Sequence, residues 1–369
     1  MKILVTGSKG FIGKNLVEGL KNRKIIDIFE YDKETHMTLL ENYCKKADFV
    51  FHLAGINRPK EQSEFMEGNF GFTSYLLDTL KKYRNTCPIM ISSSIQAELD
   101  NPYGNSKRAV EDLLIEYRKE TGAKILIYRF PNVFGKWCKP NYNSVVATFC
   151  YNISHNLPIV VNNTNSVLSL VYVDDVVEEL INALNGRENS IKYFCEVPTV
   201  HTTTLGEIAN LIKSFKKSRE ELTIPNMSDS FTKKLYSTYL SYLPEDQFNY
   251  HLKMNVDHRG SFTEFIRTPD RGQVSVNISK PGTIKGNHWH DTKNEKFLVV
   301  CGNGIIRLKK IGSDKIIEYF VSGDKMEVVD IPVGYTHNIE NLGDTDLVTI
   351  MWANEPYNPV KPDTYYLEV

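Results

Sequence analysis

The hydrophobic pattern divides the chain into two textures. In the first, short runs that are apolar throughout alternate with longer stretches whose apolar residues recur every three or four positions. The runs lie near 2–6 (KILVT), 25–31, 48–53, 89–93 and 125–129, and the helical stretches around 64–83 and 103–121. Such runs predict strands buried on both faces, and their alternation with helices predicts βαβ units and a doubly wound parallel sheet. Between 136 and 242 the alternation loosens. LGEIANLIKSFKKS predicts an amphipathic helix, KWCKPNYNSVVATF a loop entering another, and LYSTYLSYLP completes a smaller lobe. After a polar stretch at 244–250 the texture changes to short β-rich runs: GQVSVNIS, KFLVVCG, GIIRLKKI, IIEYFVS, MEVVDIP and LVTIMWA. Separated by Gly, Asp and Asn turns, they predict an antiparallel barrel or jelly roll. The expectation is two domains in a chain of 369 residues, 1–245 of α/β type and 246–369 all-β.

Each texture carries candidate chemistry. GSKGFIG places Gly7, Gly10 and Gly13 at the first strand-to-helix turn. Glycines there permit a tight turn, close approach of a pyrophosphate and close helix packing. Free N–H groups at the start of the helix, near Phe11 and Ile12, receive the anion. The second strand ends at Asp32 and Lys33. Asp32 suits the free 2′-hydroxyl of NAD and Lys33 the 2′-phosphate of NADP; the sequence leaves both open, with Lys33 tipping the reading to NADPH. Tyr103 and Lys107 stand four apart on a predicted helix and share a face. A cation beside a phenol lowers its pKa and allows proton exchange near neutrality. Ser94, closing the strand ISSS, is placed to hydrogen-bond a substrate oxygen.

In the second texture His288, His290 and Glu295 fall within eight residues, and His337 follows at a turn, PVGYTH. Residues two apart on a strand point to one side. Imidazoles plus one carboxylate suit a divalent transition metal such as zinc with a coordination position left open.

Composition mainly excludes. Lys plus Arg number 44 and Asp plus Glu 45, a formal net charge of −1, which argues against nucleic-acid or membrane-surface partners. Six scattered cysteines without a CxxC pair fit reduced thiols. Met1-Lys2-Ile3 runs directly into a strand, and no apolar run approaches the roughly twenty residues of a membrane span. A cytoplasmic protein is expected.

The residues also carry resemblances. GSKGFIG, His52-Leu53-Ala54-Gly55, Ser92-Ser93-Ser94, Tyr103-x3-Lys107, Arg129–Gly135 (RFPNVFG) and Tyr172-Val173-Asp174-Asp175 resemble the extended short-chain dehydrogenase/reductases acting on nucleotide sugars, over about the first 240 residues. That resemblance implies a Rossmann-type fold. Gly7, Gly10, Phe11, Ile12, Gly13, Leu53, Ala54 and Lys33 would then serve the cofactor. Tyr103 would be proton donor, Lys107 would orient the nicotinamide ribose, Ser94 would polarise the sugar carbonyl, and Asn132 would lie near the substrate. Asn69 matches the structural asparagine of that family. Only eight residues separate Ser94 from Tyr103, so the substrate mouth is expected to be open or capped by another part of the protein.

G-x5-H-x-H-x4-E-x6-G, from Gly282 to Gly302, is similar to the first cupin motif. The second is met by Pro332, Gly334, His337 and Asn341, with Met326 where a glycine belongs. Asp257–Glu264 (DHRGSFTE) resembles the opening of the sugar-nucleotide 3,5-epimerases, also cupins, with Arg259 and Glu264 toward the substrate. That resemblance makes His288 a base removing the proton beside a ketone and Lys296 the group that holds the enolate. His288 thus has two roles in competition; the favoured division gives His290, Glu295 and His337 to the metal and His288 to the proton.

A reductase of this kind joined to a metal-binding cupin resembles the bifunctional enzymes of capsular and O-antigen polysaccharide precursor synthesis. The implied reaction starts from a UDP-linked 4-keto-6-deoxy-N-acetylhexosamine, epimerised at C3 and then reduced at C4 with NADPH, in a homodimer on the way to UDP-N-acetyl-L-fucosamine. Two rivals stay open: a reductase whose cupin is a structural or dimerisation module, and a nucleotide-sensing protein without turnover.

Overall fold

The structure, a computed structural model, describes residues 1–192, 194–268 and 270–369. It contains two compact units, one of Met1–Ser214 with Ser228–Pro244 and one of Phe215–Met227 with Glu245–Val369. The segment 215–227, which the sequence reading places in the first domain, groups with the second.

The first unit runs β1 (Ile3–Thr6), α1 (Phe11–Asn22), β2 (Ile28–Tyr31), α2 (Met37–Lys46), β3 (Phe49–His52), the short α3 (Ser63–Phe65), a π-helical turn at Met66–Gly71, α4 (Phe72–Lys82), β4 (Ile89–Ser94), α5 (Pro102–Thr121) and β5 (Ile125–Phe130). It continues through β6 (Asn132–Phe134), α6 (Val145–Ser154), β7 (Val167–Tyr172), α7 (Val173–Leu184), β8 (Ser190–Ile191), β9 (Phe194–Cys195), β10 (His201–Thr204), α8 (Leu205–Glu220), whose last turns belong to the second unit, and α9 (Ser230–Leu240). The main sheet has the order β2-β1-β3-β4-β5-β9-β8. All its pairs are parallel except β8 with β9.

The apolar strands are buried on both faces, and separate clusters form on the two sides. Ile3, Val5, Phe51 and Leu126 pack with Leu16, Leu20, Val176 and Leu180, whereas Leu4, Val50, Ile89 and Ile127 pack with Leu76, Leu80, Val110 and Leu114. This is the doubly wound architecture expected from the runs. Chain order reverses direction between β1 and β3, so a crevice opens beyond their C-terminal ends, where such sheets bind ligands.

The second unit is antiparallel: β11 (Met254–Asp257), β12 (Gly260–Thr268), β13 (Gly272–Ser279), β14 (Ile284–Trp289), β15 (Glu295–Cys301), β16 (Asn303–Lys310), β17 (Ile316–Ser322), β18 (Val328–Ile331), β19 (Tyr335–Asn341), β20 (Leu347–Ala353) and β21 (Tyr365–Tyr366). Six strands form one sheet, β11-β12-β13-β20-β15-β18, and five the other, β17-β16-β19-β14-β21. Phe297, Val299, Ile331 and Leu347 of the first meet Ile306, Leu308, Val321 and Ile339 of the second in one core. The paired sheets make a cupin-like jelly roll.

Leu347 is fully buried in that core. Leu347→Ala is expected to destabilise the β unit by about 2–5 kcal/mol, the range for a buried leucine that leaves a cavity. Equilibrium urea denaturation followed through tryptophan fluorescence measures it. A loss below about 1 kcal/mol would mean that this layer does not hold the sheets together.

Candidate functional site

The first site is built where β1, β3 and β4 end and α5 begins. Gly7 has φ +69, a left-handed conformation, and a Cβ there would come within 2.7 Å of the Ala54 nitrogen. A Cβ on Gly13 would come within 2.1 Å of the Gly7 carbonyl oxygen. The turn therefore closes on the loop after β3 only with glycine at these positions. Gly10 caps α1 without a side-chain hydrogen bond, so the helix presents free N–H groups; Phe11 and Ile12, half-buried, form its first turn. The backbone nitrogens of Leu53 and Ala54 donate to the carbonyl and hydroxyl of Thr6, at 3.1 and 3.3 Å. This cradle fits a dinucleotide. At the end of β2 the Asp32 carboxylate accepts from the backbone nitrogens of Lys9 (3.0 Å) and Lys33 (2.8 Å), while the Lys33 side chain is exposed.

Ser94, Tyr103 and Lys107 do come together. Ser94 closes β4, buried, and its hydroxyl accepts from the Gln96 nitrogen at 3.1 Å. α5 starts on Asn101, whose side chain accepts from the Gly104 nitrogen at 2.8 Å, followed by Pro102 in the first turn. Tyr103 thus lies at the helix start and Lys107 one turn on, with its ammonium 5.8 Å from the phenol ring centroid. The Lys107 ammonium donates to the Ser92 carbonyl at 3.0 Å. Burial lowers its pKa to about 8, with Glu111, one further turn along α5, pulling upward. Tyr103 differs from expectation. Burial raises its pKa, and hydrogen bonding with Ser94 only partly offsets this.

The short connection between Ser94 and Tyr103 is a compact 3₁₀ turn, Ile95–Glu98, tied down by Arg108 of α5, which donates to the carbonyls of Ala97 (2.8 Å) and Leu99 (3.2 Å). Asn69 is a buried brace. Its amide bridges the Ile56 nitrogen (2.8 Å), the Ile56 carbonyl (3.1 Å) and the Ser106 hydroxyl (2.9 Å), locking the loop after β3 to α5. Asn132, exposed on β6, donates to the Ser169 carbonyl at 3.3 Å.

The second site lies inside the β unit, at a cavity of about 700 Å³. One ligand atom from each of His288, His290, Glu295 and His337 lies within 4.8 Å of all the others. β14 brings His288, with a bulge between Gly286 and His288, and His290 follows directly after its end; β15 brings Glu295, and β19 brings His337 opposite His288. His337 is therefore a strand residue, three past the Gly334 turn where the sequence placed it.

Nε2 of His337 and Nε2 of His290 stand 3.1 and 3.5 Å from Glu295 Oε2, yet all three atoms are buried without a hydrogen-bond partner. Buried polar atoms that converge without pairing are what a metal ion would satisfy, so the residues fit one. Burial and His337 hold His288 neutral, with a pKa near 4. Burial alone would lower His290 and raise Glu295. The closeness of each to the other, with the Asp363 carbonyl at His290 and His337 beside Glu295, reverses both directions.

Two residues expected here lie elsewhere. On β15 Glu295 and Phe297 point into the cavity, so Lys296 between them points out, where it pairs with Asp330 at 2.5 Å. Glu264 is held by Arg267 outside the cavity. Arg259, paired with Asp257, does line it. Lys285 and Lys293 line it as well. Lys285 donates to Asn277 Oδ1 (2.9 Å) and the Ile278 carbonyl (2.8 Å), and Lys293 to the Pro362 carbonyl (2.8 Å). Strand alternation counted from Glu295 would have excluded Lys296; no sequence signal pointed to Lys293 or to the tail around Pro362.

Comparison with known proteins follows the same division. Residues 3–193 match the NAD dependent epimerase/dehydratase family, and residues 255–365 the polysaccharide biosynthesis C-terminal domain. UDP-2-acetamido-2,6-beta-L-arabino-hexul-4-ose reductase of Pseudomonas aeruginosa is 41% identical over 370 residues, covering 100% of this chain and 99% of that protein. A crystal structure of the capsular polysaccharide assembling protein CapF from Staphylococcus aureus is 58% identical, covers 100% of both chains and superposes with a TM-score of 0.96. A UDP-glucose 4-epimerase of Thermus thermophilus in complex with NAD, 22% identical over 66% of this chain and 99% of its own, shares the fold with a TM-score of 0.53. The chain therefore belongs to the NAD dependent epimerase/dehydratase family and is a member that carries a polysaccharide biosynthesis C-terminal domain.

Proposed function

We propose that the chain is a bifunctional sugar-nucleotide enzyme of capsular or O-antigen precursor synthesis. The β unit inverts C3 of a UDP-linked 4-keto-2-acetamido-2,6-dideoxyhexose, and the α/β unit reduces C4 to give UDP-2-acetamido-2,6-dideoxy-L-talose. The observation that carries this reading is the presence, on one chain, of Ser94, Tyr103 and Lys107 around one crevice and a buried His/Glu cluster at the wall of another cavity. The name of the Pseudomonas relative, a UDP-linked hexulose reductase, supports the substrate class.

In the β unit His288, neutral at pH 7, takes the proton from C3, made acidic by the neighbouring ketone. His290, Glu295 and His337 would hold a zinc or similar ion, which when bound supplies positive charge at the ketone oxygen. Lys285 and Lys293, in place of Lys296, add cationic charge to the cavity wall. Inversion alone is nearly thermoneutral; reduction draws it forward. In the α/β unit the turn of Gly7, Gly10 and Gly13, with Leu53 and Ala54, would hold a nicotinamide cofactor, which when bound would supply hydride for C4. Ser94 hydrogen-bonds the ketone oxygen, Tyr103 delivers the proton to that oxygen, and Lys107 keeps positive charge beside the phenol. We assign NADPH as the cofactor, with the exposed ammonium of Lys33 meeting the 2′-phosphate. The homodimer belongs to the same proposal, supported by the exposed Ile316, Tyr319 and Phe320 of edge strand β17. A cytoplasmic setting accords with six scattered cysteines that form no CxxC pair and with the lack, among the described residues, of a helix long and apolar enough to cross a membrane.

Two variants separate the half-reactions. Tyr103→Phe is expected to slow NADPH oxidation by about 10²–10⁴-fold, while solvent deuterium still enters C3. His288→Gln should abolish that labelling in the absence of cofactor. NMR of the sugar nucleotide reads both, and labelling that persists in His288→Gln would leave a one-step reductase with a structural β unit.

The buried Lys107 gives two opposite pH effects. Because its folded pKa is lowered to about 8, kcat/KM for reduction should fall as pH rises through about 8 and the ammonium is lost, with no such limb in C3 exchange. Between about 8 and the ordinary lysine value the unfolded chain holds a proton that the folded chain lacks. Stability of the first unit should therefore rise with pH across that window. A reductive profile flat to pH 10 would remove Lys107 from the chemistry.

A further inference from the structure

One element of the β-unit site comes from far along the chain. Asp363 adopts φ +45, the left-handed region that non-glycine residues seldom occupy. Its carboxylate accepts from three consecutive backbone nitrogens, those of Asp291 (3.0 Å), Thr292 (3.0 Å) and Lys293 (2.8 Å), and from the Thr292 hydroxyl (2.9 Å). These are the residues that turn the chain from His290 toward Glu295. The backbone carbonyl of the same Asp363 lies 2.5 Å from Nδ1 of His290, a partner seventy-three positions away in sequence.

The grip extends on both sides. Lys293 donates to the Pro362 carbonyl at 2.8 Å, β21 pairs with His288 and Trp289, and the Leu367 nitrogen donates to the Asn287 carbonyl at 3.0 Å. A carbonyl can only accept, so Nδ1 must carry a proton and Nε2 of the neutral ring keeps its lone pair. That Nε2 is the buried, unpaired atom facing Glu295. Three N–H groups and a hydroxyl converging on one side chain call for an acceptor-only group, which aspartate is and asparagine is not.

We propose that Asp363 is a positioning residue of the metal centre: it clamps the His290–Glu295 turn with its side chain and fixes the ring angle and tautomer of His290 with its backbone, so that metal affinity depends on the C-terminal tail. A hydrogen bond to the non-ligating nitrogen orients a metal-binding histidine and raises its basicity. The inference rests on the reading of His290, Glu295 and His337 as metal ligands.

The test uses the full chain, stripped of metal, with zinc affinity measured by competition against a chromophoric chelator. Asp363→Asn keeps the size and tolerates the left-handed backbone but turns one acceptor into a donor; it is expected to weaken zinc binding by about 10–100-fold. Thr292→Val removes one of the four bonds to the carboxylate and should weaken binding by a smaller factor, and it carries the test if Asp363→Asn does not fold. The visible spectrum of the cobalt(II) forms should shift in Asp363→Asn, a change that a purely structural role would not produce. Zinc affinities equal to wild type, with superimposable cobalt spectra, would overturn the inference. Failure of the wild-type chain to take up zinc or cobalt would instead overturn the metal reading beneath it.

Discussion

A carboxylate buried inside a β sandwich cannot be left alone, and Glu295 has an imidazole close by on two sides. Desolvation of an unpaired carboxylate would cost several kcal/mol. The strands that deliver its partners are therefore not interchangeable with other edges of the fold. β14 has to bulge at Asn287 to bring His288 level with His337, and β19 has to enter its strand directly after Gly334. The geometry of this corner of the jelly roll is set by one acid and the groups that surround it.

The α/β unit solves a related problem with the opposite sign. Lys107 is a buried ammonium, held by the Ser92 carbonyl and by the field of Glu111. Glu111 in turn is pinned by Ser93 (2.5 Å) and by the forked guanidinium of Arg129. β4, α5 and β5 are thereby joined through a single polar chain that ends at the side chains nearest the crevice. In both units a charged group sits in a dry place where its interactions are strong, and the surrounding framework spends its hydrogen bonds keeping it there.

Much of this was legible because it is periodic. Apolar runs marked the strands of the doubly wound sheet, and the Gly, Asp and Asn turns marked the hairpins of the β unit. The observed β2 begins at Ile28 where the apolar run began at 25. HxH, Glu and a distant His could be read as one cluster because strand alternation fixes which way each points. The same rule, applied to Glu295, turns Lys296 outward, so the downstream lysine suggested by resemblance sits on the wrong face. Lys293 and Asp363 were invisible for another reason. They act through backbone geometry across some seventy residues, and residue type carries no record of such a contact. The raised pKa of Tyr103 was missed because burial depends on packing that spacing does not specify.

The π-helical turn at Met66–Gly71 has one residue more than an ordinary helix needs. Removing any one of the other five would let the segment relax into a continuous α-helix, and Asn69 would swing about 100° around the axis. Its amide would then leave Ile56 and Ser106, and the loop that supports the first glycine turn would lose its tie to the helix carrying Tyr103. A point deletion on this stretch of helix would thus be felt as a shape change at two places that share no sequence with it.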